Sequence, residues 1–141
     1  MTPEELKRRT KTFALRVTRL VEAVPRTRAG DAIARQLIKA GTSVAANYRA
    51  ACRAKSNADF IAKMAIVEEE ADEALFWMEL IVEGGMLKEN RVSSLMKEAA
   101  ELLAIAVASS NTARGRPRGR GHSDSVVRRQ SAIRNPQSAI G

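Results

Sequence analysis

A single cysteine, Cys52, and a single histidine, His122, are all this chain has of the side chains that most often carry nucleophilic, redox and metal chemistry. One cysteine builds no disulfide framework, so a reducing, cytoplasmic setting is the expectation. Cys52 sits inside a helical pattern and reads as a small core residue. No nucleophile and base can be paired from this set, because His122 lies in a basic C-terminal segment far from Cys52. Gly84-Gly85 has no Lys-Ser/Thr after it and so makes no phosphate-cradling loop. Met1 to Lys11 lacks the apolar stretch of a signal peptide. The longest apolar runs, such as Leu102 to Ala108, are too short to span a bilayer. These absences predict a non-enzymatic protein with no cofactor, no metal, no small-molecule substrate and no membrane partner.

What the chain has in quantity is charge, unevenly placed. Residues 1–55 hold thirteen Lys and Arg against four acids. Residues 56–113 reverse this, with four Lys and Arg against eleven acids, and residues 114–141 hold seven Arg against one Asp. The net charge of +8 therefore hides a basic first half and an acidic second half.

Apolar spacing predicts four helices, at about 3–24, 29–54, 57–83 and 90–110, within a domain of residues 1–112. Thr2-Pro3-Glu4-Glu5 reads as a capping box with proline in the first turn. Phe13, Val17, Leu20 and Val24 form the first seam, which Pro25 ends. Ala34, Leu37, Gly41, Val44, Tyr48 and Ala51 form the second, widened by Ile33, Ile38, Ala45 and Cys52. Gly41 costs roughly 1 kcal/mol against alanine in a helix interior, which predicts a close helix contact there. Ser56 with Asp59 recaps the chain after the Lys55-Ser56-Asn57 break. Phe60, Met64, Val67, Ala71, Ala74, Met78 and Ile81 form the third seam, closed by Gly84-Gly85. Val92, Leu95, Ala99, Leu102 and Ala106 form the fourth. Matched lengths and short connections predict an all-α fold: an antiparallel up-down-up-down four-helix bundle.

Ala74 to Val82 is apolar almost all round, more than a bundle helix needs. Phe76 and Leu80 fall one turn apart off the main seam, and with Trp77 they predict contact with a second subunit. The acids Glu68, Glu69, Glu70, Asp72 and Glu73 contain i,i+4 pairs resembling half of a di-metal carboxylate site. The Glu-x-x-His partners of such sites are missing. Pairing with Arg35, Lys39, Arg49 and Arg53 of the second helix, within or between subunits, is the preferred explanation. The predicted oligomer interface is therefore Phe76, Trp77, Leu80, Glu69, Glu73, Arg49 and Arg53.

Residues 113–141 read as a disordered Arg/Gly-rich tail. Arg114, Arg116, Arg118 and Arg120 surround an Arg-Gly-Arg-Pro core similar to the AT-hook, which lies in narrow A·T minor grooves. Gln130 to Pro136 is followed by a copy beginning at Gln137, a direct repeat consistent with repetitive coding DNA.

The block from Lys39 to Ala54, with Ser56 to Ile61, Ile66 to Glu73 and Trp77 to Gly85, resembles the four-helix-bundle family also called 23S rRNA intervening-sequence proteins. The likeness spans about residues 10–110 and leaves the tail out. It implies small antiparallel bundles assembled as ring-shaped homopentamers, with no catalytic residues to carry over. It also implies kinship with the accessory variability determinant of diversity-generating retroelements, a basic pentamer that binds a reverse transcriptase and nucleic acid.

The resulting expectation is a homo-oligomeric, pentameric bundle that binds RNA, DNA or a nucleic-acid enzyme through Lys7, Arg8, Arg9, Lys11, Arg16, Arg19, Arg26 and Arg28, with the tail arginines. The rival is an assembly scaffold whose charges serve subunit pairing alone. A metal-dependent carboxylate enzyme is the third and weakest reading.

Overall fold

The computed structural model describes residues 1–115. Four helices follow in order: α1 (Pro3–Ala23), α2 (Arg28–Ala51), α3 (Asn57–Glu83) and α4 (Glu89–Ala113). The described residues contain no strand. Each helix packs on its sequence neighbours, and α4 returns to α1, which closes an antiparallel four-helix bundle.

Local chemistry sets the ends. The Thr2 hydroxyl accepts from the Glu5 amide at 3.1 Å, and the Glu5 carboxylate accepts from the Thr2 amide at 2.9 Å, completing the capping box. Thr27 caps α2 by accepting from the Gly30 amide at 2.9 Å. Ser56 caps α3 by accepting from the Asp59 amide at 3.0 Å, while Asp59 accepts from the Lys55 amide at 3.2 Å. At the far end of α3, Gly85 takes φ +73°. Its amide donates to the Val82 carbonyl at 3.0 Å and the Met86 amide to Ile81 at 2.9 Å. This is a Schellman closure, and it requires the left-handed conformation that glycine adopts without penalty.

Two helix ends differ from the sequence expectation. α2 stops at Ala51 rather than about residue 54, because Arg53 and Ala54 donate to carbonyls three residues back, at 3.0 and 3.1 Å. That tighter winding ends the α-helix, with Cys52 as its C-cap. α4 runs on to Ala113, past the expected end at residue 110 and one residue past the expected domain limit. Its last turn is held from α3, where the Asn57 side-chain amide donates to the Ala113 carbonyl at 2.8 Å.

The core follows the four expected seams, except that Ala34 and Phe60 are only partly buried and that Leu6, Ala40, Leu87, Leu103 and Val107 join it. Phe13, Val17, Leu37, Val44, Met64, Met78, Ile81, Val92 and Leu102 are essentially inaccessible to solvent. Gly41 is the expected close approach: a Cβ there would lie 2.8 Å from both methyl groups of Val17. Cys52 is a correction, since it is exposed rather than part of the core. No helix among the described residues is long and apolar enough to cross a membrane.

Candidate interaction surfaces

Helix periodicity puts most of the charged residues on outward faces, and the bundle then sorts them by whether a partner lies in reach. Of the expected basic residues of α1, the turn after it and the start of α2, Arg9 is consumed. Its Nε and Nη2 donate to the Glu98 carboxylate at 2.7 and 2.8 Å, and Nη2 also reaches Glu101 at 2.9 Å. Lys7 pairs with Glu4 at 3.2 Å, Arg26 with Asp31 at 2.9 Å, and Arg16 donates to the Ser94 hydroxyl at 2.9 Å. Arg8, Lys11, Arg19 and Arg28 are exposed and form no ion pair with another described residue. Arg8, Lys11 and Arg19 fall on the most outward face of α1, around Leu15, which is 52% exposed. Arg114 is exposed at the C-cap of α4. Arg116, Arg118 and Arg120, and the seven-residue repeat, lie outside the described residues.

Helix α3 carries two seams. The inner one, Met64, Val67, Ala71, Ala74, Met78 and Ile81, is buried. An outer one, Ala62, Ile66, Glu69, Glu73, Phe76, Leu80 and Glu83, repeats at the same alternating spacing of four and three on the opposite face. Phe76 is 46% exposed and Ile66 37%, while Leu80 and Trp77 are half-buried. Trp77 packs edge-on against Phe76, with ring centroids 4.9 Å apart, and its Nε1 donates to Glu73 at 3.4 Å.

The acid cluster is divided by the helix rather than gathered. Glu68 is 1% exposed, inside the core, while Glu69 faces solvent. Glu70 is half-buried against α2 and accepts from the Ser43 hydroxyl. Burial, and then the charge of Glu73, pushes the Glu70 carboxyl above its ordinary value. Among the described residues, no group of three or more His, Cys, Asp and Glu is placed to hold a metal ion. The i,i+4 acids therefore do not converge on one site. Within the chain, no ion pair joins the described Arg35, Lys39, Arg49 or Arg53 to Glu69 or Glu73.

Sequence reasoning missed the burial of Glu68, although a signal existed: it stands one turn after Met64 and three residues before Ala71. It also missed a cleft of about 700 Å³ at the end of the bundle where the chain begins. Leu6, Ala51, Phe60, Ile105 and Ala108 line it together with Thr2, Tyr48 and Cys52. Burial, and then a hydrogen bond with the Cys52 side chain, holds the Tyr48 phenol above its ordinary value.

Four antiparallel helices around one apolar core, with their surplus charge and aromatic surface turned outward, define the class: a small four-helix-bundle protein. Residues 4–108 match the 23S rRNA-intervening sequence proteins, and the chain belongs to that family. It is similar to a solved protein of unknown function from the S23 ribosomal protein family of Bacteroides thetaiotaomicron VPI-5482. The TM-score is 0.70 at 28% identity, covering 74% of this chain and 97% of the other. No curated protein matches the chain.

Proposed function

We propose that this protein is a non-catalytic homo-oligomer, a pentamer in the cytoplasm, that binds nucleic acid or a nucleic-acid-processing partner through its basic surface. The observation that carries the reading is the sorting of the basic residues of α1 and the start of α2. Arg9 is spent on Glu98 and Glu101, whereas Arg8, Lys11, Arg19 and Arg28 stand exposed without an ion pair to a described residue. Exposed cations of this kind neutralise phosphates and release counterions, which gives salt-sensitive binding. The family's name ties it to intervening sequences of 23S rRNA, which makes RNA the first polyanion to test.

Self-assembly is supported by the outer seam of α3, where Phe76 and Ile66 leave apolar surface in solvent. Light scattering on the purified full chain tests it directly. A mass near five times that of the chain is expected, and a monomer at micromolar concentration contradicts it. The second reading, an assembly scaffold without nucleic-acid binding, is favoured by the same aromatic surface. Binding assays on RNA and duplex DNA at low salt separate the two: the scaffold binds neither.

A further inference from the structure

The outward face of α2 is as regular as the outer seam of α3, and its chemistry is the reverse. Arg28, Ala32, Arg35, Lys39, Thr42, Ala46, Arg49 and, in the turn beyond the helix, Arg53 are all exposed and share that face. The column holds no carboxylate and no large apolar side chain. The α3 seam holds no cation, and places Phe76 and Leu80 beside the acids Glu69, Glu73 and Glu83. Both faces repeat every three or four residues, so two helices laid together stay in register along their length.

We infer that the α3 outer seam is covered by the α2 column of a second copy of this chain, lying antiparallel, with Arg53 opposite Glu69 and Arg49 opposite Glu73. This rests on the reading that the chain self-assembles, and it adds which faces meet and in which register. In that register Ala46 falls opposite Phe76 and Thr42 opposite Leu80, so each large side chain meets a small one. Lys39 then falls opposite Glu83. The charges and the volumes are satisfied by one and the same alignment.

The α1 outward face fits less well, because Leu15 and Glu22 stand among its cations and Glu22 opposes an acidic seam. A parallel alignment of α2 matches charges and volumes as well, pairing Arg35 with Glu69, Lys39 with Glu73, Thr42 with Phe76 and Ala46 with Leu80. A ring whose axis runs along the bundle separates the two. Rotation about an axis along the bundle keeps every helix direction, and α2 and α3 are antiparallel within one chain. The α2 of the next copy therefore meets α3 antiparallel.

The test is charge reversal and rescue in the full chain, read by sedimentation, with helicity confirmed by circular dichroism. Glu69→Arg with Glu73→Arg is expected to raise the dissociation constant of the assembly on the order of a hundredfold. Adding Arg49→Glu with Arg53→Glu is expected to restore it. Rescue by Arg35→Glu with Lys39→Glu instead overturns the antiparallel register while leaving self-assembly standing. An unchanged mass for Glu69→Arg with Glu73→Arg, or no rescue by either pair, overturns this interface. A monomeric wild type overturns both the interface and the assembly on which it rests.

Discussion

The Arg9 guanidinium bridges α1 to α4 by a two-pronged bond to Glu98, Nε at 2.7 Å from one carboxylate oxygen and Nη2 at 2.8 Å from the other. The pair is partly shielded, with side-chain exposures of 27% and 16%. The hydrogen bond to Glu98 raises the Arg9 pKa, and Glu101 adds to it. Arg9→Ala is expected to lower stability by about 1–2 kcal/mol, read from urea unfolding. Arg9→Lys recovers only part of it, because an ammonium cannot reproduce the planar fork. Equal stability of wild type and Arg9→Ala contradicts a structural role for this residue.

Gly41 leaves no room for a side chain against Val17. Gly41→Ala is expected to cost about 1–3 kcal/mol through overpacking, despite alanine's better helix propensity. Combining it with Val17→Ala should cost less than the two single effects together, since the cavity accepts the new methyl. Strict additivity in thermal or urea unfolding contradicts the contact.

Glu70 carries its own pH signature. Its carboxyl is raised by burial and then by Glu73, so the folded chain keeps that proton to higher pH than the unfolded chain does. The stability this contributes is fully present below the ordinary value of 4.5 and is lost as pH rises through the folded value. Glu70→Gln removes the loss, so its urea midpoint is expected to exceed that of wild type near neutrality and to converge with it in acid. A wild-type advantage at neutral pH contradicts the raised Glu70 carboxyl.

Tyr48 is the chain's one tyrosine, so phenolate absorbance reports it alone. Its midpoint is expected above the ordinary 10.0, through burial first and the bond with Cys52 second. The unfolded phenol ionises sooner, so stability falls as pH rises past 10.0. Cys52→Ala should lower the midpoint only part of the way. Cys52 itself, exposed, should react with a thiol reagent in the native protein without prior unfolding.

The core was legible because it rests on periodicity. The α1 and α4 seams were placed residue by residue, and the Thr2 and Ser56 caps followed from side-chain type alone. What failed was local winding and partner choice. Cys52 has a core-like position in the α2 pattern, but it is the C-cap of that helix and lines the open cleft beside Tyr48. The fourth helix was expected to end at about residue 110, yet α4 continues because Ser110 and Asn111 are buried and Asn57 caps the end from another helix. Glu68 and Glu69 are neighbours in sequence and opposites in space. Arg9 and Arg8 are equally basic, and only the position of Glu98, 89 residues away, shows which of them is occupied.

The most direct test of a phosphate-binding basic surface is the salt dependence of RNA affinity, for wild type and for the Arg8→Ala, Lys11→Ala, Arg19→Ala, Arg28→Ala combination, with Arg9→Ala as the control. Wild-type affinity should fall linearly in a plot of log K against log salt. The slope should shrink by roughly 0.7–0.9 for each phosphate contact removed in the combined variant, and stay unchanged in Arg9→Ala. No binding at low salt, or one common slope for wild type and the combined variant, contradicts the account.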